Sequence, residues 1–163
     1  MAGARAVMRR LLVAAALAAG CALPLCAQQR AVRPEIRADL LGAAPYAAQL
    51  GAGLNTNLGY YARLEVDAGG GALREHDALV GTGRVDALAR LLLDPFGESH
   101  WGLSLGGGVS ARYRAGDRVR PYLAVVADLE GPKVGGQRVA LQAGVGGGVR
   151  VGVVVRGADA LWR

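Results

Sequence analysis

Trp101-Gly102-Leu103-Ser104-Leu105-Gly106-Gly107-Gly108-Val109-Ser110-Ala111-Arg112-Tyr113 is the most regular segment of the 163-residue chain. Its odd positions (Trp101, Leu103, Leu105, Gly107, Val109, Ala111, Tyr113) are apolar or small, and its even positions are Gly, Ser or Arg. A repeat of two belongs to a β-strand, whose side chains alternate between faces, whereas a helix repeats every 3.6 residues. An aromatic residue stands at each end of the apolar face. Twelve steps at ~3.3 Å per residue, tilted ~45°, rise about 28 Å. That is close to the ~25 Å apolar band, edged by aromatic girdles, of a membrane-spanning barrel.

The same alternation extends on both sides of this segment. Toward the N-terminus, strands are predicted over 35–41, 46–54, 58–68 and 83–93. Pro34 leaves a short helix as a competitor for the first of these, since Pro suits a first helical turn. Leu88 and Leu92 stand on the polar parity of 83–93, and its residues also form helices well. Asn55-Thr56-Asn57 reads as a compact turn, and 69–81, glycine-rich and charged, as a loop. Asp94-Pro95-Phe96-Gly97 reads as a further turn. Toward the C-terminus, 119–129 alternates, 131–136 reads as a loop, and odd positions of 139–155 are Val, Leu or Ala except Gly147. That last run is too long for an ordinary strand; a turn at Gly146-Gly147-Gly148 divides it and gives eight strands, against seven without it, and the even strand numbers of single-chain bacterial barrels favour the split or one further short strand.

The N-terminus carries Arg5, Arg9 and Arg10, then an apolar run over 11–19, then Pro24 and Ala27 ahead of Gln28. This is the layout of a secretory signal peptide, and the run falls short of the ~20 residues of a spanning helix. Cleavage after Ala27 leaves one domain, 28–163, and removes both cysteines. Cleavage before Cys21, giving a lipid-anchored chain, is the alternative. The leader holds three arginines and no acid, so the whole-chain balance of 19 Lys+Arg against 13 Asp+Glu becomes 16 against 13. The basicity is thus partly a targeting feature and does not point to nucleic acid. No apolar run in 28–163 approaches helix-spanning length, so insertion in a membrane must be by strands.

Periodicity alone leaves open which face is outside. A soluble barrel turns its apolar face inward around a small apolar ligand, and a membrane barrel turns it outward. The purity of the apolar face favours lipid, where Arg or Lys at mid-depth costs roughly 2–4 kcal/mol. On that reading Arg63, Glu65, Asp67, Arg84, Asp86, Arg112, Arg120 and Asp128 face the lumen. Tyr60, Trp101, Leu103, Leu105, Tyr113, Leu123 and Val125 face lipid or form the girdles. The signal peptide, the Asn55-Thr56-Asn57 turn into Leu58-Gly59-Tyr60-Tyr61, the strand from Trp101 to Tyr113 and the Gly/Val-rich C-terminal region together resemble the small, eight-stranded bacterial outer-membrane β-barrel proteins. The resemblance implies an all-β, antiparallel up-and-down barrel in the outer membrane. The chain departs from the family at its end, where Trp162 is penultimate and Arg163 last, and Asp159 breaks the alternation.

Little in the sequence points to catalysis. The two histidines, His76 and His100, lie in a loop and at a strand entrance. Either is compatible with a Ser-His-acid arrangement, whose geometry is set in space. Gly144-Val145-Gly146-Gly147-Gly148 lacks the Lys-Ser pair of a phosphate loop. The expectation is a structural or surface-interaction protein without catalytic, metal or cofactor residues. Its partners are the bilayer and an unidentified surface or periplasmic protein, and it is a monomer. A lipid-modifying enzyme or narrow transporter on the same scaffold, and a secreted or periplasmic soluble barrel, are the alternatives. Because an eight-stranded barrel is just wide enough to be filled by side chains, a packed salt-bridged interior is expected in preference to a pore.

Overall fold

The computed structural model describes residues 32–42, 46–75, 78–94 and 100–157. Eight strands follow one another: β1 (Val32–Gly42), β2 (Ala47–Leu58), β3 (Ala62–Glu75), β4 (Ala78–Leu92), β5 (Gly102–Arg114), β6 (Arg120–Val134), β7 (Gln137–Val145) and β8 (Val149–Arg156). Each pairs antiparallel with the next, and β8 pairs with β1, so the sheet closes into an up-and-down barrel. Closure leaves no open sheet edge. The proposed leader over 1–27, His76, Trp162 and Arg163 lie outside the described residues.

The alternation decides which side each residue takes. On β1, Glu35, Arg37, Asp39 and Leu41 are buried inside, while Ile36 and Leu40 are 67% and 66% exposed outside. Pro34 begins no helix. It sits near the start of β1 opposite Leu54, where a missing N–H is tolerated, and its carbonyl accepts from the Gly157 amide. The segment 83–93 is strand, not helix, and Leu88 on its polar parity packs inside against Ala124 and Val126. The division at 146–148 is observed, with Gly147 at φ 70°.

Three turns differ from the sequence expectation. Asn55-Thr56-Asn57 belongs to β2, because the Asn55 side chain is buried and donates to Glu35 at 3.0 Å. The reversal comes later, at residues 59–61, where Gly59 takes φ 75°. The 69–81 segment is not a loop: β3 runs to Glu75 and β4 starts at Ala78. Its glycines serve close approach. A Cβ on Gly69 would stand 3.1 Å from the Leu50 carbonyl oxygen, and one on Gly71 would collide with that of Ala48. Likewise β6 continues through Gly131 to Val134 with a register shift between Glu130 and Lys133, leaving only Gly135-Gly136 as turn.

Candidate functional site

The lumen is filled by ionised side chains contributed by most of the wall. Among the described residues, its buried charged side chains are seven acids (Glu35, Asp39, Glu65, Asp67, Asp86, Asp128, Glu130) and six arginines (Arg37, Arg63, Arg84, Arg90, Arg150, Arg156). Half-buried Arg138, bonded to Glu130 at 3.2 Å, evens the tally at the rim. The bonds cross the barrel. Arg37 on β1 reaches Asp39 at 2.8 Å, Glu65 and Asp67 on β3, and Gln142 on β7. Arg150 on β8 meets Asp86 on β4, four strands away around the ring. Arg90 grips Glu65 through two parallel bonds of 2.6 and 2.9 Å and also approaches Asp128. Arg156 touches Glu35, Glu65, Asp128 and Glu130.

Taking such pairs out of water cancels much of their attraction, so they add little net stability, but removing one partner strands a buried charge. They therefore penalise any arrangement of the strands that parts a pair. Glycines on the inward parity make the room. A Cβ on Gly106 would lie 2.7 Å from Arg90 Cγ, and one on Gly51 would lie 3.1 Å from Arg37 Cγ. Glu35, Glu65 and Asp67 bring ligand atoms within 4.8 Å of one another, as a cation site would. Arg37, Arg90 and Arg156 already supply the positive charge there.

The end of the barrel holding the β5–β6 and β7–β8 turns is different. There a cavity of about 280 Å³ is lined by Arg112, Arg114, Arg118, Arg120, Asp117, Tyr113 and Tyr122, among others. Arg112 and Arg120 stand opposite each other on β5 and β6. Arg112 donates to the Gly147 carbonyl, and the β7–β8 turn rests on Tyr122 so closely that a Cβ on Gly147 would lie 2.7 Å from the ring. Arg114 bonds Glu75 and lies 3.9 Å from Asp117.

With wall, lumen and mouth in view, the architecture has a counterpart. Its fold is similar to that of Neisserial surface protein A. The crystal structure of that protein (NspA) matches at a TM-score of 0.61 and 12% identity, over 79% of this chain and 96% of that one. A solution structure of a de novo designed protein, TMB2.3, is also similar, at a TM-score of 0.48 and 10% identity, over 82% of this chain and 99% of that one. No protein-family model and no curated protein matches the chain. At 12% identity the likeness to NspA is one of fold alone, so side-chain roles stand on this chain's own geometry.

Of the residues assigned to the lumen from sequence, Arg63, Glu65, Asp67, Arg84, Asp86 and Asp128 are buried inside the barrel. Arg112 is half-buried at the mouth. Arg120 corrects the expectation. It is the first residue of β6, and at that strand end it clears the packed interior and is exposed. Leu103, Leu105, Leu123 and Val125 are exposed on the outer wall, and Trp101 and Tyr113 at its two edges. Tyr60, also exposed, lies in the β2–β3 turn and not on a strand. His100 is exposed beside Trp101, whereas Ser104 and Ser110 are buried in the lumen. Sequence reasoning missed Arg156 and the convergence of Arg114, Arg118 and Tyr122 at the mouth. The even parity of Arg150 and Arg156 on β8 carries the signal for the first; the second needs two turns to meet in space.

Proposed function

We propose that residues 28–163 form a monomeric outer-membrane β-barrel of structural or surface-interaction type, without catalytic activity, exported by the 1–27 leader. One observation carries this reading. The outward positions over 36–40, 48–58, 62–72, 79–91, 103–113, 121–129, 139–145 and 149–155 contain no Asp, Glu, Lys or Arg. The exposed apolar side chains among them, such as Leu50 at 72% and Leu123 at 83%, come from every strand. A monomeric soluble protein rarely exposes apolar patches beyond a few hundred Å², and water has no need of so uniform a wall. The first outward charge near a rim is Arg74, at the end of β3. A soluble carrier of an apolar ligand would need the reverse arrangement, and here the inside is ionised and packed.

The test is refolding of 28–163 into phosphatidylcholine vesicles. The expected results are co-flotation with lipid, gel migration that changes on heating, and no steady ionic current across a planar bilayer. A folded, monomeric, freely soluble barrel without amphiphile overturns the membrane reading. A steady current overturns the packed lumen alone.

A further inference from the structure

The arginine-lined mouth is unlike anything else among the described residues. Inside the barrel every buried arginine among the described residues meets an acid. At the mouth, Arg118 and Arg120 are exposed and have no acidic partner among the described residues. The acids near them, Asp117 and Glu75, are both engaged by Arg114. Arg112 is held in place by the Gly147 carbonyl, with donors to spare. We propose that this mouth is a binding site for phosphate groups.

The chemistry follows from the donor set. A guanidinium presents a planar fork of N–H groups that matches phosphate oxygens two at a time. Here Arg112 and Arg120 face each other across paired strands, with Arg118 in the adjoining turn. Arg112 and Arg114 are pre-positioned by their own bonds, which lowers the ordering cost of ligand binding. Tyr122, covered by the Gly147 turn, provides a firm wall. The 280 Å³ volume falls just under the ~300 Å³ at which drug-sized sites begin. That suits a phosphoryl group with part of its carrier. Tyr113, at the edge of the apolar wall, belongs to the same cavity. The phosphate can therefore come from a lipid headgroup in the adjacent leaflet or from a soluble oligophosphate. The site does not rest on the membrane reading, since a soluble barrel would carry the same mouth.

The experiment uses folded 28–163, in detergent if the barrel requires it. Inorganic pyrophosphate is titrated calorimetrically at low salt. In parallel, phenylglyoxal modification of individual arginines is mapped by mass spectrometry. The mapping is done with pyrophosphate, or in phosphatidylcholine vesicles with and without phosphatidic acid. Arg118→Gln with Arg120→Gln is expected to weaken pyrophosphate binding about tenfold or more, equivalent to ~1.4 kcal/mol. Arg74→Gln, on the outer wall at the same end, is the control and should change it less than about twofold. Pyrophosphate binding that protects Arg118 and Arg120 supports the site with a soluble source. Protection by phosphatidic acid alone supports it with a headgroup source. Protection by neither overturns it, as does an Arg74→Gln effect equal to that of the double variant. The protection mapping uses unmutated protein, so it decides the matter even where a variant misfolds.

Discussion

Arginines occupy two settings in this barrel, the lumen and the mouth around the β5–β6 turn. Arg37, Arg90 and Arg156 are essentially without solvent, and each contacts acids on two or more strands. Arg118 and Arg120 stand in water with no acid against them among the described residues. The same side chain thus serves as a structural tie in one place and as an unspent donor in the other. Charge alone does not mark a functional site. Charge left unanswered by its neighbours does, because only there can a ligand supply the missing partner.

The sharpest way to break this contrast is to remove an acid from the lumen. Glu65→Leu leaves Arg37, Arg90 and Arg156 short of a partner at once. It should cost roughly 3–5 kcal/mol, read from urea unfolding in vesicles followed by the gel shift. If it costs no more than a surface substitution, the interior pairs are not ties. Next in size is a charge placed where neither acid nor water can answer it. Leu105→Arg on the outer wall should cost roughly 2–4 kcal/mol and sharply lower the fraction inserted into vesicles. Leu105→Ala should insert normally.

Smaller still is filling a space on the inner wall. A Cβ at Gly106 would lie 2.6 Å from the Ala89 carbonyl oxygen and 2.7 Å from Arg90 Cγ. Gly106→Val should therefore cost about 1–3 kcal/mol by the same unfolding assay. The smallest effect is expected at the mouth. Arg118→Gln with Arg120→Gln should change stability by no more than about 0.5 kcal/mol while reducing pyrophosphate binding. A loss of stability as large as that of Glu65→Leu would erase the distinction between the two settings.

The legibility of the sequence divides along similar lines. Alternation over Trp101–Tyr113 and over the Val-rich C-terminal run is enough for strands, and the Gly146–Gly148 break for a count of eight; closure and antiparallel order come only with the resemblance to small outer-membrane barrels. It fails where one residue type has two physical uses. A glycine-rich stretch such as 69–81 or 131–136 reads as a loop on composition. In fact Gly69 and Gly71 are strand residues that let a neighbouring backbone approach. The clue was present in the unbroken parity of Ala68, Gly70 and Ala72 opposite Asp67, Gly69 and Gly71. Asn55 reads as turn-forming because Asn bonds its own backbone readily, but its partner is Glu35, twenty residues away. The mouth was illegible for a different reason. Arg112 and Arg120 have lumen parity, and only the ends of their strands, lifted clear of the packing, leave Arg112 half-buried and move Arg120 to water.

The position of Arg156 and Arg150 on β8 bears on how the cylinder is sealed. Until that strand docks, seven interior acids are answered by only four of the buried arginines, Arg37, Arg63, Arg84 and Arg90. An open seven-stranded sheet would carry an excess of negative charge on its concave side. The seam between β1 and β8 is therefore latched twice, by its ladder of backbone bonds and by the two guanidiniums the final strand delivers into an acidic hollow.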